Sequence, residues 1–406
     1  MTVLESGHGQ WLWRGFPPAI DGLPLDQVGA QGWRLADLTT PVALLAESAL
    51  VHNQTALDDW AARRGALLAP HAKTTMSPEL IRLQLGAGSW AVTAANPMQA
   101  TIMVASGASR VIIANEVASA LALADLLGTA EVWVFVDSPE AVAVVAEAGL
   151  RSRTTVPVIL DIGFPGGRTG VRTESQALDV VDAVRASSQV ELAGYGLFEG
   201  ILATGRAASD LATVRSGLKT AVALASAVQD RFGVPEPIVT GGGSMFPDLV
   251  ADVLGEAAVR WGGRLVLRPG CYLVHDHGSY AASYDQAPWL DLRPALSVLA
   301  TVISVPEPGL ALLDAGKRDL TLDGRTAPVL EITRGDERVQ HPPLIISRSN
   351  DQHSFVDWTP GSWPGFRVGD RVRLGISHPC LTFQLWRALP LVDDTGNVTG
   401  VARTFF

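Results

Sequence analysis

"PIVTGGGSMFPDLVADVLGEAAVRWGGRLVLRPG", residues 237–270, decides the fold. A short apolar run, rich in β-branched residues, breaks at three glycines. An alanine- and valine-rich stretch follows, and a second apolar run, "GRLVLRPG", closes the segment. A continuously apolar strand, then a helix, then another such strand is a parallel βαβ unit covered on both faces. The same beat runs back through the chain, in "GALLAPHA" at 65–72, "SWAVTAA" at 89–95, "SRVIIANE" at 109–116 and "AEVWVFVD" at 130–137. It continues in "VPVILDIG" at 156–163 and "ELAGYGLFEG" at 191–200, with helical patterns between, the longest over 209–233. Eight strands in alternation predict an α/β fold, a (β/α)8 barrel over residues 46–280, close to the usual ~250 residues. A doubly wound open sheet is the rival, but eight consecutive units close naturally.

Past residue 281 the pattern changes. "ALSVLATVISV", "APVLEIT", "HSFVDW", "DRVRLGIS" and "LTFQLWRALPLV" are short runs split by Gly, Pro and Asp turns. They predict an all-β domain over 281–406. Residues 1–45, rich in tryptophan and proline, are expected to join it.

Composition narrows the function. The chain has 406 residues, 47% of them hydrophobic, and a net charge of -10. That charge argues against nucleic acid or an anionic membrane surface as partner. No uninterrupted apolar stretch reaches the ~20 residues that span a bilayer. The start, "MTVLESGHGQWLWRGF", lacks a basic region followed by an apolar one, so no signal peptide is expected. Two cysteines, Cys271 and Cys380, could pair, but they make no framework, and a cytoplasmic protein is expected.

Barrel enzymes place their chemistry at the C-terminal ends of the strands. The polar residues there are His71 and Lys73, Thr93 and Asn96, Asn115 and Glu116, and Asp137. Asp161 with Arg168, Glu199, Gly241 to Ser244, and Arg268 complete the set. Lys73 follows a buried run directly, so its stem belongs at the barrel mouth. A partly dried amine loses its proton more readily and becomes nucleophilic. Gly241, Gly242, Gly243 and Ser244 lie between the seventh strand and a helix, where backbone amides can approach an anion. A lysine at the first strand end and a phosphate cup at the seventh suggest pyridoxal 5'-phosphate, with Arg168 reaching its phenolic oxygen. Late in the β domain, "GISHPCLTF" sets His378 and Cys380 two apart. On a strand both would leave the same face, and both are zinc-ligand types.

These pieces resemble the fold-type III pyridoxal phosphate enzymes that include D-threonine aldolases, D-serine dehydratases and amino acid deaminases. "PHAKT" at 70–74, "DIGFPGGRTGV" at 161–171, "FEG" at 198–200 and "GGGS" at 241–244 carry the resemblance. "LRPGCYLVHDHGSY" at 267–280, "LLDAGKRDLT" at 312–321 and "SHPCLTF" at 377–383 continue it. The resemblance implies an alanine-racemase-like barrel with a β domain. It also implies Lys73 as the cofactor lysine, Arg168 and the 241–244 loop as cofactor ligands, and a zinc or another divalent metal on His378 and Cys380. The implied activity is a lyase acting on D-β-hydroxy amino acids, working as a homodimer. His-x-Cys is similar to the dehydratase members and tilts the reading toward dehydration to a 2-oxo acid and ammonia. Retro-aldol cleavage to glycine and an aldehyde is the alternative, and racemisation a weaker one. The chain departs from the family at "TTM", where relatives read "THK", and at Phe198, a cofactor-site position where they often have tyrosine.

Overall fold

The computed structural model describes residues 13–323 and 326–406. Of the N-terminal segment read over 1–45, residues 1–12 lie outside that range. The chain divides into two compact units. One is Thr55–Gly270 with Gln286–Leu290; the other is the chain up to Gln54 with Cys271–Asp285 and Asp291–Phe406.

Strand β1 (Val42–Ala46) and helix α1 (Glu47–Ala62) lead in. Strands and helices then alternate strictly: β2 (Leu67–Leu68), α2 (Pro78–Gly86), β3 (Val92–Ala94), α3 (Pro97–Ala105), β4 (Arg110–Ile113) and α4 (Ala120–Leu127). Next come β5 (Glu131–Val136), α5 (Pro139–Ser152), β6 (Val156–Ile162), α6 (Glu174–Arg185), β7 (Val190–Leu197), α7 (Ala208–Ser226), β8 (Ile238–Gly241), α8 (Pro247–Arg260) and β9 (Arg264–Leu267). All eight runs read from the sequence are strands. They pair in parallel in the order β2-β9-β8-β7-β6-β5-β4-β3. The ends of that order meet. The Trp90 amide donates to the Leu68 carbonyl at 2.8 Å and the Thr93 amide to the Pro70 carbonyl at 2.8 Å. A parallel bridge joins His71 to Thr93. The sheet is therefore a nearly closed barrel, and the open-sheet alternative falls.

Side chains fill the interior. Ile112, Trp133, Phe135, Ile159, Ile238 and Val266 pack with Ala69, Ala91 and Ala193. Two large aromatics fit because three partners are alanines, which keeps the packing dense. Short loops follow several strands because helix starts are written into the sequence. The Asn96 side chain accepts the Gln99 amide at 2.9 Å, and the Ser138 hydroxyl accepts the Ala141 amide at 3.2 Å. Proline stands next in each case, at the helical position that needs no N–H.

The second unit holds helices α9 (Ser279–Tyr284) and α10 (Pro379–Phe383) and strands β10 (Leu296–Glu307), β11 (Leu310–Leu313), β12 (Val329–Arg334), β13 (Glu337–Arg338) and β14 (Ile346–Ser349). Strands β15 (Ser354–Asp357), β16 (Arg371–Leu374), β17 (Ala388–Val392) and β18 (Val398–Arg403) complete it. The order β13-β12-β16-β10-β1-β17-β18 forms one sheet, with β11, β15 and β14 continuing from β10. Strand β10 runs for 12 residues. Its first half pairs with β1 and β16, and from Val302 onward it pairs with β11 through two register shifts. Among the described residues no helix is long and apolar enough to cross a membrane.

Candidate active site

The mouth of the barrel contains a cavity of about 320 Å³, whose walls include His71, Lys73, Asp161, Arg168, Phe198 and Arg268. Pro70 ends the run of β2, and a single 3-10 turn, Ala72–Thr74, carries Lys73 to the cavity half-buried. His71 lines the same wall with its Nδ1 buried and lacking a hydrogen-bond partner. Burial, reinforced by the charges of Lys73 and Arg268, holds this imidazole well below its ordinary pKa, so it is neutral.

Two cations face the cavity differently. Arg268, at the end of β9, is 6% exposed. It donates to the Thr240 hydroxyl at 2.5 Å and to the Leu197 carbonyl at 2.8 Å. Burial lowers its pKa to about 10, against the pull of Glu199 and Asp161, and it stays charged. Arg168 is exposed, with its guanidinium 4.5 Å from the centre of the Phe198 ring. The loop carrying Arg168 is pinned at its base. The Thr169 hydroxyl donates to Asp161 at 2.8 Å, and the Gly170 amide donates to Asp137 at 3.0 Å. Gly170 has φ +98°, and a Cβ there would lie 2.4 Å from the Gly163 nitrogen, so the loop needs glycine.

Carboxyls balance these cations. Burial raises Asp161, and burial with the neighbouring Asp161 and Asp137 raises Glu116 to about 7. The pair therefore retains a proton near neutrality. Glu199 is fully buried and accepts the Gly242 amide at 3.1 Å and the Gly243 amide at 2.8 Å. Two amides of the glycine loop read as a phosphate cup are thus already committed to a carboxylate. Beside them the buried Ser244 hydroxyl accepts the Gly270 amide at 3.1 Å, tying together the loops after β8 and β9. Gly241 is the last residue of β8. A Cβ on Gly243 would meet the Phe198 ring at 2.8 Å, so glycine keeps this side of the cavity open.

The fit to an anionic carbonyl cofactor follows from these observations. An amine for covalent attachment, two cations, a glycine-lined wall and an orphaned buried imidazole nitrogen surround one space. Met76, where relatives of the resemblance read lysine, is buried at φ +44° and does not line the cavity.

The pair read as metal ligands, His378 and Cys380, lies in the β unit. Its strand geometry is corrected: His378 precedes α10 as its N-cap and Cys380 lies inside that helix. Pro379 starts the helix at its first position, where its fixed φ suits a helical turn. The two side chains still meet, since His378 hydrogen-bonds Cys380, a contact that with Asp323 raises the imidazole to about 9. His378 Nδ1 lies 2.9 Å from the Asp323 carboxylate. A carboxylate on one ring nitrogen is the outer-shell arrangement that orients a metal-binding histidine. His, Cys and Asp are all zinc donors. Among the described residues no group of three or more His, Cys, Asp or Glu is placed to hold a metal, so the pair leaves most coordination positions to other ligands. Cys271, in the 3-10 turn Cys271–Leu273, lies with its sulfur 3.5 Å from that of Cys380, and no disulfide joins them.

The sequence had marked Arg268, His71, Glu116, Asp161 and Glu199 as strand-end positions without giving them roles. Asp323 gave no signal, because its partner is 55 residues away.

Comparison with known proteins agrees with this architecture. The family model described as "Alanine racemase, N-terminal domain" matches residues 45–245, and the one described as "Putative serine dehydratase domain" matches residues 295–392. A D-threonine aldolase of Arthrobacter sp is 29% identical over 382 residues, 92% of this chain and 94% of that protein. A 3-hydroxy-D-aspartate aldolase of Paracoccus denitrificans (strain Pd 1222) is 26% identical over 360 residues, 84% of this chain and 86% of the relative. Among solved structures, D-threonine aldolase from Filomicrobium marinum superposes with a TM-score of 0.78 at 24% identity, over 92% of this chain and 97% of that one. D-threo-3-hydroxyaspartate dehydratase from Delftia sp. HT23 gives 0.73 at 22%, over 92% and 99%. These two share the fold.

Proposed function

We propose that the chain, which belongs to the fold-type III pyridoxal phosphate enzymes of D-amino acids, is a lyase that converts a D-β-hydroxy amino acid to a 2-oxo acid and ammonia, eliminating the β-hydroxyl as water and taking one water back in the hydrolysis that frees ammonia. The observation that carries this reading is the convergence of Lys73, His71, Arg168 and Arg268 on one cavity at the barrel mouth. When bound, pyridoxal phosphate supplies the electron sink at the substrate's α-carbon. Lys73 anchors it and carries the α-proton as general base. His71, held neutral by burial and by the charges of Lys73 and Arg268, offers an uncharged ring nitrogen beside the amine. Arg268 and Arg168 offer fixed positive charge to the cofactor's oxygens, and Ser244 with Gly241 to Gly243 shapes the wall between them. Arg168 also stacks on Phe198, which orients the guanidinium without consuming its N–H donors.

His378 and Cys380 are proposed to hold a zinc ion, with Asp323 fixing the imidazole. Its contribution is Lewis acidity toward a β-hydroxyl oxygen. The choice of dehydration rests on Cys380. The names of the curated relatives favour a second reading, retro-aldol cleavage to glycine and an aldehyde. The working form is proposed to be a homodimer, to be checked by light scattering.

A product assay separates the reactions. D-serine, D-threonine and D-3-hydroxyaspartate are incubated with the holoenzyme and added zinc, and 2-oxo acid, ammonia, glycine and aldehyde are quantified. Dehydration gives 2-oxo acid and ammonia in equal amounts. Glycine with an aldehyde would transfer the assignment to the second reading, and an unchanged carbon skeleton with inverted configuration would end both.

A further inference from the structure

We propose that Cys271 and Cys380 are a redox modification site that closes to a disulfide under peroxide and, in doing so, withdraws Cys380 from metal binding. The withdrawal rests on the metal reading above; the disulfide does not.

The chain contains two cysteines in 406 residues. They are 109 positions apart in sequence, and the fold brings their sulfurs to 3.5 Å. A disulfide bond is about 2.05 Å long, so closure needs an approach of about 1.5 Å. Both residues stand on short helical turns, Cys271–Leu273 and Pro379–Phe383. Their exposures differ in a useful way. Cys380 is partly exposed, while Cys271 is 6% exposed and hydrogen-bonded by the buried Tyr280 hydroxyl. A small oxidant therefore meets Cys380 first, and Cys271 is the sheltered thiol that resolves the product.

The chemistry balances with hydrogen peroxide as the oxidant. The Cys380 thiolate attacks one peroxide oxygen, the O–O bond breaks, and hydroxide leaves, giving a sulfenic acid. The Cys271 sulfur then attacks the Cys380 sulfur, the S–O bond breaks, and the second oxygen departs as water. Two thiols lose two electrons and two protons in total, and one peroxide becomes two waters. Cys380 then has no thiolate to offer a metal, because the thiolate is the ligand form. With no cluster of three or more donor side chains among the described residues, loss of one ligand from a two-residue pair removes most of the protein's hold. Bound zinc, conversely, occupies the sulfur that peroxide must attack, so metal and oxidant compete for one atom.

The test uses the full-length chain in two forms, stripped by a chelator and loaded with zinc. Each is titrated with hydrogen peroxide, and its peptides are mapped by mass under non-reducing conditions. The stripped protein is expected to yield one cross-linked peptide pair, lighter by two hydrogens, joining Cys271 to Cys380 and reversed by dithiothreitol. Zinc is expected to slow its formation at least ten-fold, and the oxidised protein is expected to bind no zinc in equilibrium dialysis. In Cys271→Ser the linked pair vanishes and Cys380 proceeds to sulfinic acid. The wild-type mapping alone is decisive if that variant does not fold. Both cysteines remaining thiols, or Cys380 reaching sulfinic acid with Cys271 unchanged in the wild type, overturns the proposal. A disulfide that zinc neither slows nor is displaced by leaves the modification standing and overturns the withdrawal of a metal ligand.

Discussion

The barrel mouth and the His378–Cys380 cluster are two ways of assembling reactive groups. At the mouth, eight parallel strands end together, so a polar residue just beyond any strand arrives in the same space. Lys73, Asp161 with Arg168, and Arg268 come from three separate strand ends, yet they share one cavity. In the β unit the cluster depends on single events. One proline begins a five-residue helix, one turn delivers Asp323, and one 3-10 segment presents Cys271. Topology makes the first site redundant in its supports and dense in charge. The second is held by a few contacts and carries little charge to compensate.

The largest expected effect lies at the mouth. Lys73→Ala is expected to abolish the visible absorbance of the bound cofactor and to lower turnover by roughly 10³-fold or more. Retention of both would detach the cavity from the chemistry. Next in size, Arg268→Met removes a buried cation that compensates Glu199 and Asp161. It is expected to cost about 3–5 kcal/mol in urea unfolding. A loss below 1 kcal/mol would mean the charges at the mouth are not interdependent.

How much of this was legible follows from the same contrast. The eight strands were readable because each is buried on both faces and so is continuously apolar, as in "VWVFV" of β5. Their ends were readable because polarity begins there. The helix at Pro379–Phe383 was not, since five residues carry too little periodicity and "HPCLTF" alternates as a strand does. Glu199 could be placed at a strand end, but nothing in "FEG" tells that its carboxylate turns to the amides of Gly242 and Gly243. That choice is made by packing. The neutral state of His71 is likewise a property of burial, invisible in "PHAKT".

A third test moves to the β unit. Asp323→Asn keeps the shape of the His378 contact and removes its charge. Zinc affinity measured by competition with a chromophoric chelator is expected to fall by about 10–100-fold. An unchanged affinity would separate His378 from metal binding. The smallest effect returns to the barrel and depends on pH. Glu116 is raised to about 7 from its ordinary 4.5, so the fold favours its neutral form. That contribution is fully present below pH 4.5 and is lost as pH rises toward 7. Glu116→Gln cannot ionise. Its melting temperature relative to the wild type is therefore expected to climb between those pH values and to level above 7, about 2–4 °C higher. A difference that does not vary with pH would show that Glu116 and Asp161 do not share a proton.

Strand β10 has a mechanical consequence. Among the described residues it is the one element laddered both to the β1 and β16 side of the sheet and, past Val302, to the β11, β15 and β14 extension. Neither part can melt away without stripping one half of a shared beam. The β unit should therefore lose amide protection as a single cooperative block, and the slowest-exchanging hydrogens should cluster where the beam changes partners.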